Sequence, residues 1–293
     1  MNEQAQNAAQ AAGEAKAQKY FAFSVAADIV ALGVKHAEGA DWRQAEELRM
    51  SIVLVLRGGD PFKGMWALPG GFLRRDSRKG ADDLDMEACA RREMREETGL
   101  SVRALIPFGN FSAVDRDPRG KGYISIPYVA IINIEDMAKA LPQGGDDAVA
   151  AKWFTLHRTR QADGTLRIAL EADGEERIAF SATCRGEGLG QPKVDVVYEK
   201  GAAKLAFDHA EILATAIYMM GLPGKRLRSF AFLGDAFTIA ELRCVYEFMA
   251  DEEIVPQSFR RNVVKYLERT GGMRGGKGHR PAALYRWKGL RPE

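Results

Sequence analysis

The stretch REMREETGL, residues 92–100, decides the fold of this chain. At about 100° per residue on a helix, Glu93, Glu96 and Glu97 fall on one side and bring their carboxylates together. Clustered carboxylate oxygens suit Mg²⁺ or Mn²⁺, which can neutralise a diphosphate and activate water. An isolated E-x-x-E-E pattern is more often a solvated acidic face. The metal-site prediction therefore depends on the residues around this stretch.

The surrounding segments predict a fold in which helices and strands interleave. Helix formers run from Leu84 to Thr98 and stop at Gly99, a residue that commonly ends helices. β-branched and apolar runs on both sides predict strands of one sheet. The predicted strands are residues 23–34, 48–57, 123–133 and about 152–156. The fold class is therefore α/β or α+β.

The same residues resemble the signature of the Nudix family, G-x5-E-x7-R-E-U-x-E-E-x-G-U, in which U is aliphatic. Residues 92–100 match its second half, and WALPGGF at residues 66–72 resembles its lead-in, with Gly71 as the signature glycine. The resemblance implies a Nudix α/β/α sandwich with a mixed sheet. It implies a Mg²⁺ or Mn²⁺ ion on Glu93, Glu96 and Glu97, which with Arg92 form the candidate catalytic set. Arg92 is expected to pair with one of these glutamates.

One interval departs from the signature. Gly71 and Arg92 lie 21 positions apart, about seven more than in the signature, and Leu84 stands where its first glutamate is expected. Three aspartates lie beside that position: Asp82, Asp83 and Asp85. A lengthened loop next to the metal site predicts that the domain binds its ligand but hydrolyses it weakly or not at all.

Three further segments resemble Nudix proteins that handle ADP-ribose, and they occur in the same order in Nudix-related transcriptional regulators of NAD metabolism, the NrtR family. They are residues 114–132, 144–154 and 205–213. Within D-R-D-P-R-G, residues 115–120, the arginines can supply guanidinium forks for phosphate and the aspartates can accept from ribose hydroxyls. A Pro-Gly turn with local ion pairs explains the same six residues equally well. The candidate ligand-binding residues are Gly70, Gly71, Arg116, Asp117 and Arg119.

The length of 293 residues suits two domains. The predicted organisation is a disordered tail at 1–18, a Nudix-like domain at 19–204 with a hairpin insertion at about 163–199, a linker helix at 205–224 and a winged helix-turn-helix domain at 225–293. The insertion has three strand-like runs separated by turn residues and suggests no chemistry.

The last part of the chain is basic, since residues 221–293 hold about 14 Lys and Arg against about 8 Asp and Glu. A helix at 236–250 opens with Thr238 and Glu241 as a capping box, and a second helix is predicted over 257–271. A Gly-rich basic loop and an apolar strand follow. Helix, turn, helix and basic wing form the pattern of a winged helix-turn-helix.

FRRNVVKYL and GHRPAALYRW in this region also resemble the C-terminal domain of the NrtR family. The second helix is expected to enter the major groove while the wing touches phosphates. The candidate DNA-binding residues are Gln257, Arg260, Arg261, Lys265, Arg274, Lys277 and Arg280. The alternative is a small dimerisation module whose basic face is only solvated.

Two functions compete from the sequence, and a protein that does both, with slow hydrolysis of its effector, is a third possibility. One is a DNA-binding regulator, a repressor by resemblance, whose Nudix domain senses ADP-ribose or a related nucleoside diphosphate. The other is a Mg²⁺-dependent Nudix pyrophosphatase with an accessory domain. The expected partners are double-stranded DNA and a second copy of the chain, and no membrane, because no apolar run reaches the length of a span. Three scattered cysteines predict a reducing, cytoplasmic compartment.

Overall fold

A computed structural model describes residues 23–36, 48–75, 82–102, 104–120, 122–139, 148–172, 176–186, 190–222, 226–275 and 281–289. The predicted tail at 1–18 lies outside these ranges, as do Lys277 and Arg280. The helices in these ranges are α1 (Met86–Thr98), α2 (Ile134–Lys139), α3 (His209–Met220), α4 (Ile239–Ala250) and α5 (Pro256–Val263).

Eleven strands in the described ranges form one mixed sheet. Its main path has the order β11-β10-β9-β8-β2-β1-β7-β5, with β3 paired to β2 and with β4 and β6 paired to β1. The strands are β1 (Ser24–His36), β2 (Leu48–Arg57), β3 (Trp66–Ala67), β4 (Gly70–Phe72), β5 (Ala104–Pro107), β6 (Tyr123–Ser125), β7 (Tyr128–Ile132), β8 (Ala148–Arg160), β9 (Leu166–Ala172), β10 (Glu176–Arg185) and β11 (Lys193–Tyr198). β1 is antiparallel to β2 and parallel to β7, which makes the sheet mixed.

The central strand β1 separates two hydrophobic layers. Ala27, Ile29 and Ala31 pack with α1, whereas Val30 and Leu32 pack in the layer that contains α3. This division follows from the alternation of side chains along a strand. Helices therefore cover both faces of the sheet, which confirms the predicted α/β/α class.

Helix α1 begins and ends at the residues that its sequence signals indicate. The Asp85 carboxylate accepts from the Ala88 N–H at 2.7 Å and caps the first turn. Gly99 adopts the left-handed conformation, with φ 70°, and its N–H donates to the Arg95 carbonyl. The predicted strand over 123–133 is interrupted, because Pro127 has no N–H for the ladder and separates β6 from β7.

The three runs at 163–199 form β9, β10 and β11, which extend the sheet by antiparallel pairing. Helix α3 packs across β10 and β11 and also reaches β1. Most of its side chains are buried, so this helix lies within the core.

The C-terminal part contains α4, α5 and a two-stranded wing, β12 (Leu267–Arg274) paired with β13 (Ala282–Trp287). The predicted capping box is present, with Thr238 and Glu241 each accepting from the other's backbone N–H. The prediction of a second helix over 257–271 is wrong in its second half. Helix α5 ends at Val263, one 3-10 turn follows, and the chain enters β12. Pairing with β13 uses the backbone groups that a longer helix would need, and two adjacent glycines disfavour the helix.

The two parts of the molecule share one hydrophobic core. Leu242 of α4 and Phe259 of α5 belong to the same cluster of buried residues as Ile212 of α3 and Leu32 of β1. Arg158 of β8 adds a polar link, since it pairs with Asp251 at 3.4 Å and donates to the Phe248 carbonyl at the end of α4. The winged helix part is thus fixed directly to the sheet.

Candidate functional site

A cleft of about 460 Å³ opens where β1, β4 and α1 meet. Its charged lining includes six arginines and four carboxylates: Arg57, Arg74, Arg75, Arg92, Arg116, Arg119, Asp28, Glu93, Glu97 and Asp117. The excess of guanidinium groups favours an anionic ligand. All five predicted ligand-binding residues line this cleft, and so do three of the four predicted catalytic residues. The fourth, Glu96, is not among the lining residues.

The two glycines of the lead-in, Gly70 and Gly71, are required because the backbone of β4 lies very close to β1 and to the glutamates of α1. The Gly70 N–H donates to Oε2 of Glu97 at 2.8 Å, and a Cβ on Gly70 would overlap the Ala27 carbonyl oxygen. A Cβ on Gly71 would lie 2.5 Å from Oε1 of Glu93. Strand β4 therefore lies against the carboxylates of α1 only because neither residue has a side chain.

Arg92 is the centre of a cluster of carboxylates. Its Nη1 contacts Glu93 at 2.6 Å and Glu96 at 2.9 Å, which matches the predicted pairing. Its Nε and Nη2 donate to the two oxygens of Asp83 at 2.9 and 2.8 Å. The hydrogen bonds to Asp83, followed by those to Glu93 and Glu96, raise the pKa of Arg92 above its ordinary value despite burial.

Asp83 belongs to this site, although the spacing of the Nudix signature does not predict it. Leu84, at the position of the signature's first glutamate, is 86% exposed and points away from the cluster. Asp83, one residue earlier, is buried, and its hydrogen bond to Arg92 lowers the pKa of its carboxyl. The aspartates beside Leu84 were the available signal, but a lengthened loop hides which of them turns inward.

Glu93 and Glu97 are the two glutamates of α1 that face the cleft. Burial raises the pKa of Glu93, and it raises the pKa of Glu97 to about 8 even though Gly70 donates to it. Glu96 is instead held by Arg92 and by Arg74, whose Nη2 lies 3.3 Å away. In the described ranges no three His, Cys, Asp or Glu side chains are grouped closely enough to hold a metal ion. The two cleft carboxylates nevertheless fit a divalent cation, because its charge would offset the cost of ionising them in a buried place.

A second charged network lies at the floor of the cleft and joins β1 to the start of α3. Arg116 pairs with Asp208 at 2.8 Å and with Asp28 at 3.2 Å. His209 accepts from the Leu68 N–H through Nδ1 at 2.9 Å, which leaves its Nε2 proton facing Asp28 at 3.5 Å. Burial favours the neutral form of Asp28, but His209 and Arg116 outweigh it and hold its pKa well below its ordinary value. Arg116 is therefore occupied by protein carboxylates.

Arg119 is likewise paired within the protein. Its Nη2 contacts Oδ2 of Asp117 at 2.6 Å, and its Nε donates to Oδ1 at 2.9 Å. Burial opposes ionisation of Asp117, yet the bonds from Arg119 lower its pKa. This pairing is the local ion pair that the turn alternative anticipated for D-R-D-P-R-G.

The predicted DNA-binding residues divide into two groups within the described ranges. Gln257, Arg260 and Arg261 on α5, together with Lys265 in the 3-10 turn, have exposed side chains. Arg274, at the end of β12, is instead tied down, because it pairs with Glu241 and donates to the Ala236 carbonyl at 3.1 Å. The exposed group forms a basic surface on the second helix of the helix-turn-helix.

Comparison with known families agrees with both halves of this description. Residues 42–171 match the NUDIX domain, and residues 229–287 match the NrtR DNA-binding winged helix domain. The chain therefore contains a NUDIX domain followed by an NrtR-type DNA-binding winged helix domain. The predicted resemblance is thereby confirmed. Nudix hydrolases generally use divalent metal ions.

Several known proteins resemble this chain along most of its length. A protein of Acinetobacter baylyi named ADPR responsive transcriptional repressor NtrR is 26% identical over 82% of the chain and 76% of its own length. The crystal structure of a MutT/nudix family protein from Enterococcus faecalis matches with a TM-score of 0.66 and 27% identity, covering 92% of this chain and 88% of that one. Shewanella oneidensis NrtR complexed with a 27mer DNA shares the fold, with a TM-score of 0.56, 22% identity, and coverage of 90% and 93%.

None of the helices in the described residues combines the length and the apolar character needed to cross a membrane.

Proposed function

We propose that the protein is a DNA-binding transcriptional repressor of NAD-related metabolism whose Nudix domain senses ADP-ribose. The observation that carries the proposal is the link between the two domains. The cleft is rich in arginine, and the network at its floor includes Asp208, which directly precedes α3. At the other end of α3, a Cβ on Gly221 would stand 3.0 Å from the Met249 carbonyl oxygen of α4. A ligand in the cleft thus acts on a helix that abuts the winged helix domain.

The similarity to named proteins supports the same function. The Acinetobacter baylyi relative is named as an ADPR-responsive repressor, and Shewanella oneidensis NrtR has been crystallised with DNA. A symmetric regulator reads two half-sites through a two-fold axis, so we propose that this chain acts as a homodimer. Such a regulator works in the cytoplasm with its DNA. The three cysteines are free thiols, which agrees with that compartment.

The decisive experiment measures binding to the DNA upstream of the protein's own gene and its neighbours, with and without ADP-ribose. We expect a gel shift at low salt that ADP-ribose weakens, because the ligand changes the position of α3. Random DNA of equal length is the control. No shift on any DNA at low salt would exclude the regulator, and a shift indifferent to ADP-ribose would exclude this effector.

The exposed basic surface of α5 and the basic wing loop predicted from the sequence should respond differently to substitution. Replacing Arg261 by Ala should cost about 1–3 kcal/mol of binding on the cognate site and little on random DNA, because a helix residue in the major groove reads base edges. Replacing Lys277 by Ala should weaken binding to all sequences and reduce the salt slope by about one, as expected for a phosphate contact. Fluorescence anisotropy on both DNAs at several salt concentrations measures the two effects. If Arg261→Ala loses the same binding free energy on both DNAs, Arg261 contacts the DNA phosphates rather than base edges.

Glu93 and Glu97 at the cleft support a second candidate, a Mg²⁺- or Mn²⁺-dependent pyrophosphatase acting on ADP-ribose. In this function the two carboxylates would hold the ion, which would neutralise the diphosphate and activate water. Phosphate release after phosphatase coupling tests it. A kcat of about 1–1000 per second would make hydrolysis the primary function. We expect a much lower value, because the loop between Gly71 and Arg92 is lengthened and Leu84 stands where the signature has its first glutamate.

A further inference from the structure

Aromatic side chains lie at and beside one part of the cleft. Phe72 and Phe207 line the cleft, and Tyr123 lies against Phe72 with ring centroids 5.8 Å apart. Phe62 packs edge-on against Phe207, with ring centroids 4.7 Å apart. Phe72 is 40% exposed, which is unusual for a phenylalanine in a glycine-rich strand packed on β1. An exposed ring of this kind at a cleft is suited to bind a ligand that has a flat apolar part.

Arg119 completes this group by lying among the rings. Its guanidinium carbon is 5.0 Å from the centroid of Tyr123, 5.2 Å from that of Phe72 and 5.9 Å from that of Phe207. Asp117 neutralises its charge and fixes its plane through two hydrogen-bonded oxygens. A neutralised guanidinium held flat is poorly suited to attract phosphate but well suited to stack on a planar group.

We infer that Phe72, Arg119, Tyr123 and Phe207, here called the stacking platform, bind the nucleobase of the nucleoside diphosphate. This inference rests on the proposed function and assigns one part of the effector to one end of the cleft. The diphosphate then lies nearer α1, where Arg74 and Arg75 line the cleft beside Glu93 and Glu97. Base stacking on aromatic or guanidinium surfaces tolerates any base but requires that one is present. The platform therefore distinguishes nucleotides from ribose phosphates and from pyrophosphate.

The backbone of Phe207 supports a ligand role for its ring. Phe207 has a φ of 51°, a left-handed conformation that bulky residues rarely adopt and that costs free energy. The residues around it impose this conformation, since Ala206 donates to the Trp66 carbonyl at 2.9 Å and the His209 N–H donates to the Ala206 carbonyl. The result is a ring turned into the cleft. Because Asp208, the N-cap of α3, follows directly, a base stacked on Phe207 lies next to the start of α3.

The test compares ligands with and without a base on matched variants of the full chain. Phe207→Leu removes the ring, Phe207→Tyr keeps it, and Phe230→Leu removes a ring stacked on Trp287 in the winged helix domain, away from the cleft. Calorimetry measures ADP-ribose and pyrophosphate binding, and quenching of fluorescent etheno-ADP-ribose reports stacking directly. We expect Phe207→Leu to weaken ADP-ribose binding about tenfold and to abolish quenching. Pyrophosphate affinity should not change, and Phe207→Tyr and Phe230→Leu should resemble the wild type.

Each contrary result has a definite meaning. Equal weakening of ADP-ribose and pyrophosphate in Phe207→Leu would show that the ring only maintains the fold, and retained quenching would place the base elsewhere. Phe72→Leu, at an exposed ring, repeats the test if Phe207→Leu does not fold. If the wild type binds no ADP-ribose at all, the proposed effector and the platform are both overturned. If the wild type binds ADP-ribose and both leucine variants bind it equally well, the stacking platform is overturned but the proposed effector is not.

Discussion

Replacing Arg92 by Ala is expected to lower the free energy of unfolding by about 3–5 kcal/mol. Arg92 is largely buried and pairs with Asp83, Glu93 and Glu96, so its removal leaves several carboxylates close together with no counter-charge. Removing one partner from such a buried cluster lowers the free energy of unfolding by more than the intact ion pair contributes to it. The remaining charges are desolvated and repel each other. Urea denaturation followed by circular dichroism measures the change.

Arg185→Ala is the matched control for this substitution. Arg185 pairs with Asp195, but both side chains are more than half exposed, at 62% and 59%. Solvent screens such a pair, so its loss should cost at most about 1 kcal/mol. If the two variants lose equal stability, the Arg92 cluster is not the buried counter-charge system described above.

The second large effect concerns pH and Glu97. In EDTA, the wild type should lose stability between about pH 5 and pH 9, by on the order of 4 kcal/mol. Burial raises the pKa of Glu97 in the folded protein to about 8, above its ordinary value of 4.5. The folded state therefore binds more protons than the unfolded state between these two values. The contribution of Glu97 is fully present below pH 4.5 and is lost as the pH rises through 8.

Glu97→Gln should remove most of this slope, because glutamine stays neutral across the whole range. The groups with lowered pKa values, Asp28, Asp83 and Asp117, lose their stabilising charge only at lower pH. Glu93, whose pKa burial also raises, contributes the part of the slope that remains in Glu97→Gln. Millimolar Mg²⁺ should restore stability to the wild type at pH 9 but not to Glu97→Gln, because the ion binds the ionised carboxylate. Parallel pH profiles for the two proteins, with no effect of Mg²⁺, would contradict both the raised pKa and the metal assignment.

Local signals in the sequence predicted the elements whose ends are set by their own residues. Asp85, Gly99, Thr238 and Glu241 fix the ends of α1 and α4 through bonds within a few positions. The end of α5 was missed because it depends on pairing between Leu267 and Trp287, twenty positions later. Tertiary pairing overrode a helical pattern that was locally acceptable.

The floor of the cleft and the stacking platform were beyond prediction for a similar reason. Asp28, Arg116 and Asp208 come from three distant parts of the chain, and each residue alone has no distinctive spacing. The turn at D-R-D-P-R-G was recognised, but the structure shows that its arginines are neutralised by neighbouring carboxylates, which changes what they can bind. Only the fold reveals that Arg119 lies among aromatic rings.

The hydrophobic core that continues from β1 through α3 into the winged helix domain also affects how long the protein survives in the cell. Because both halves bury their apolar side chains in one cluster, neither can open fully without exposing the other to proteases. A ligand bound only to the folded cleft lowers the population of every such open form. We therefore expect ADP-ribose to protect the DNA-binding half from degradation even while it weakens that half's hold on DNA.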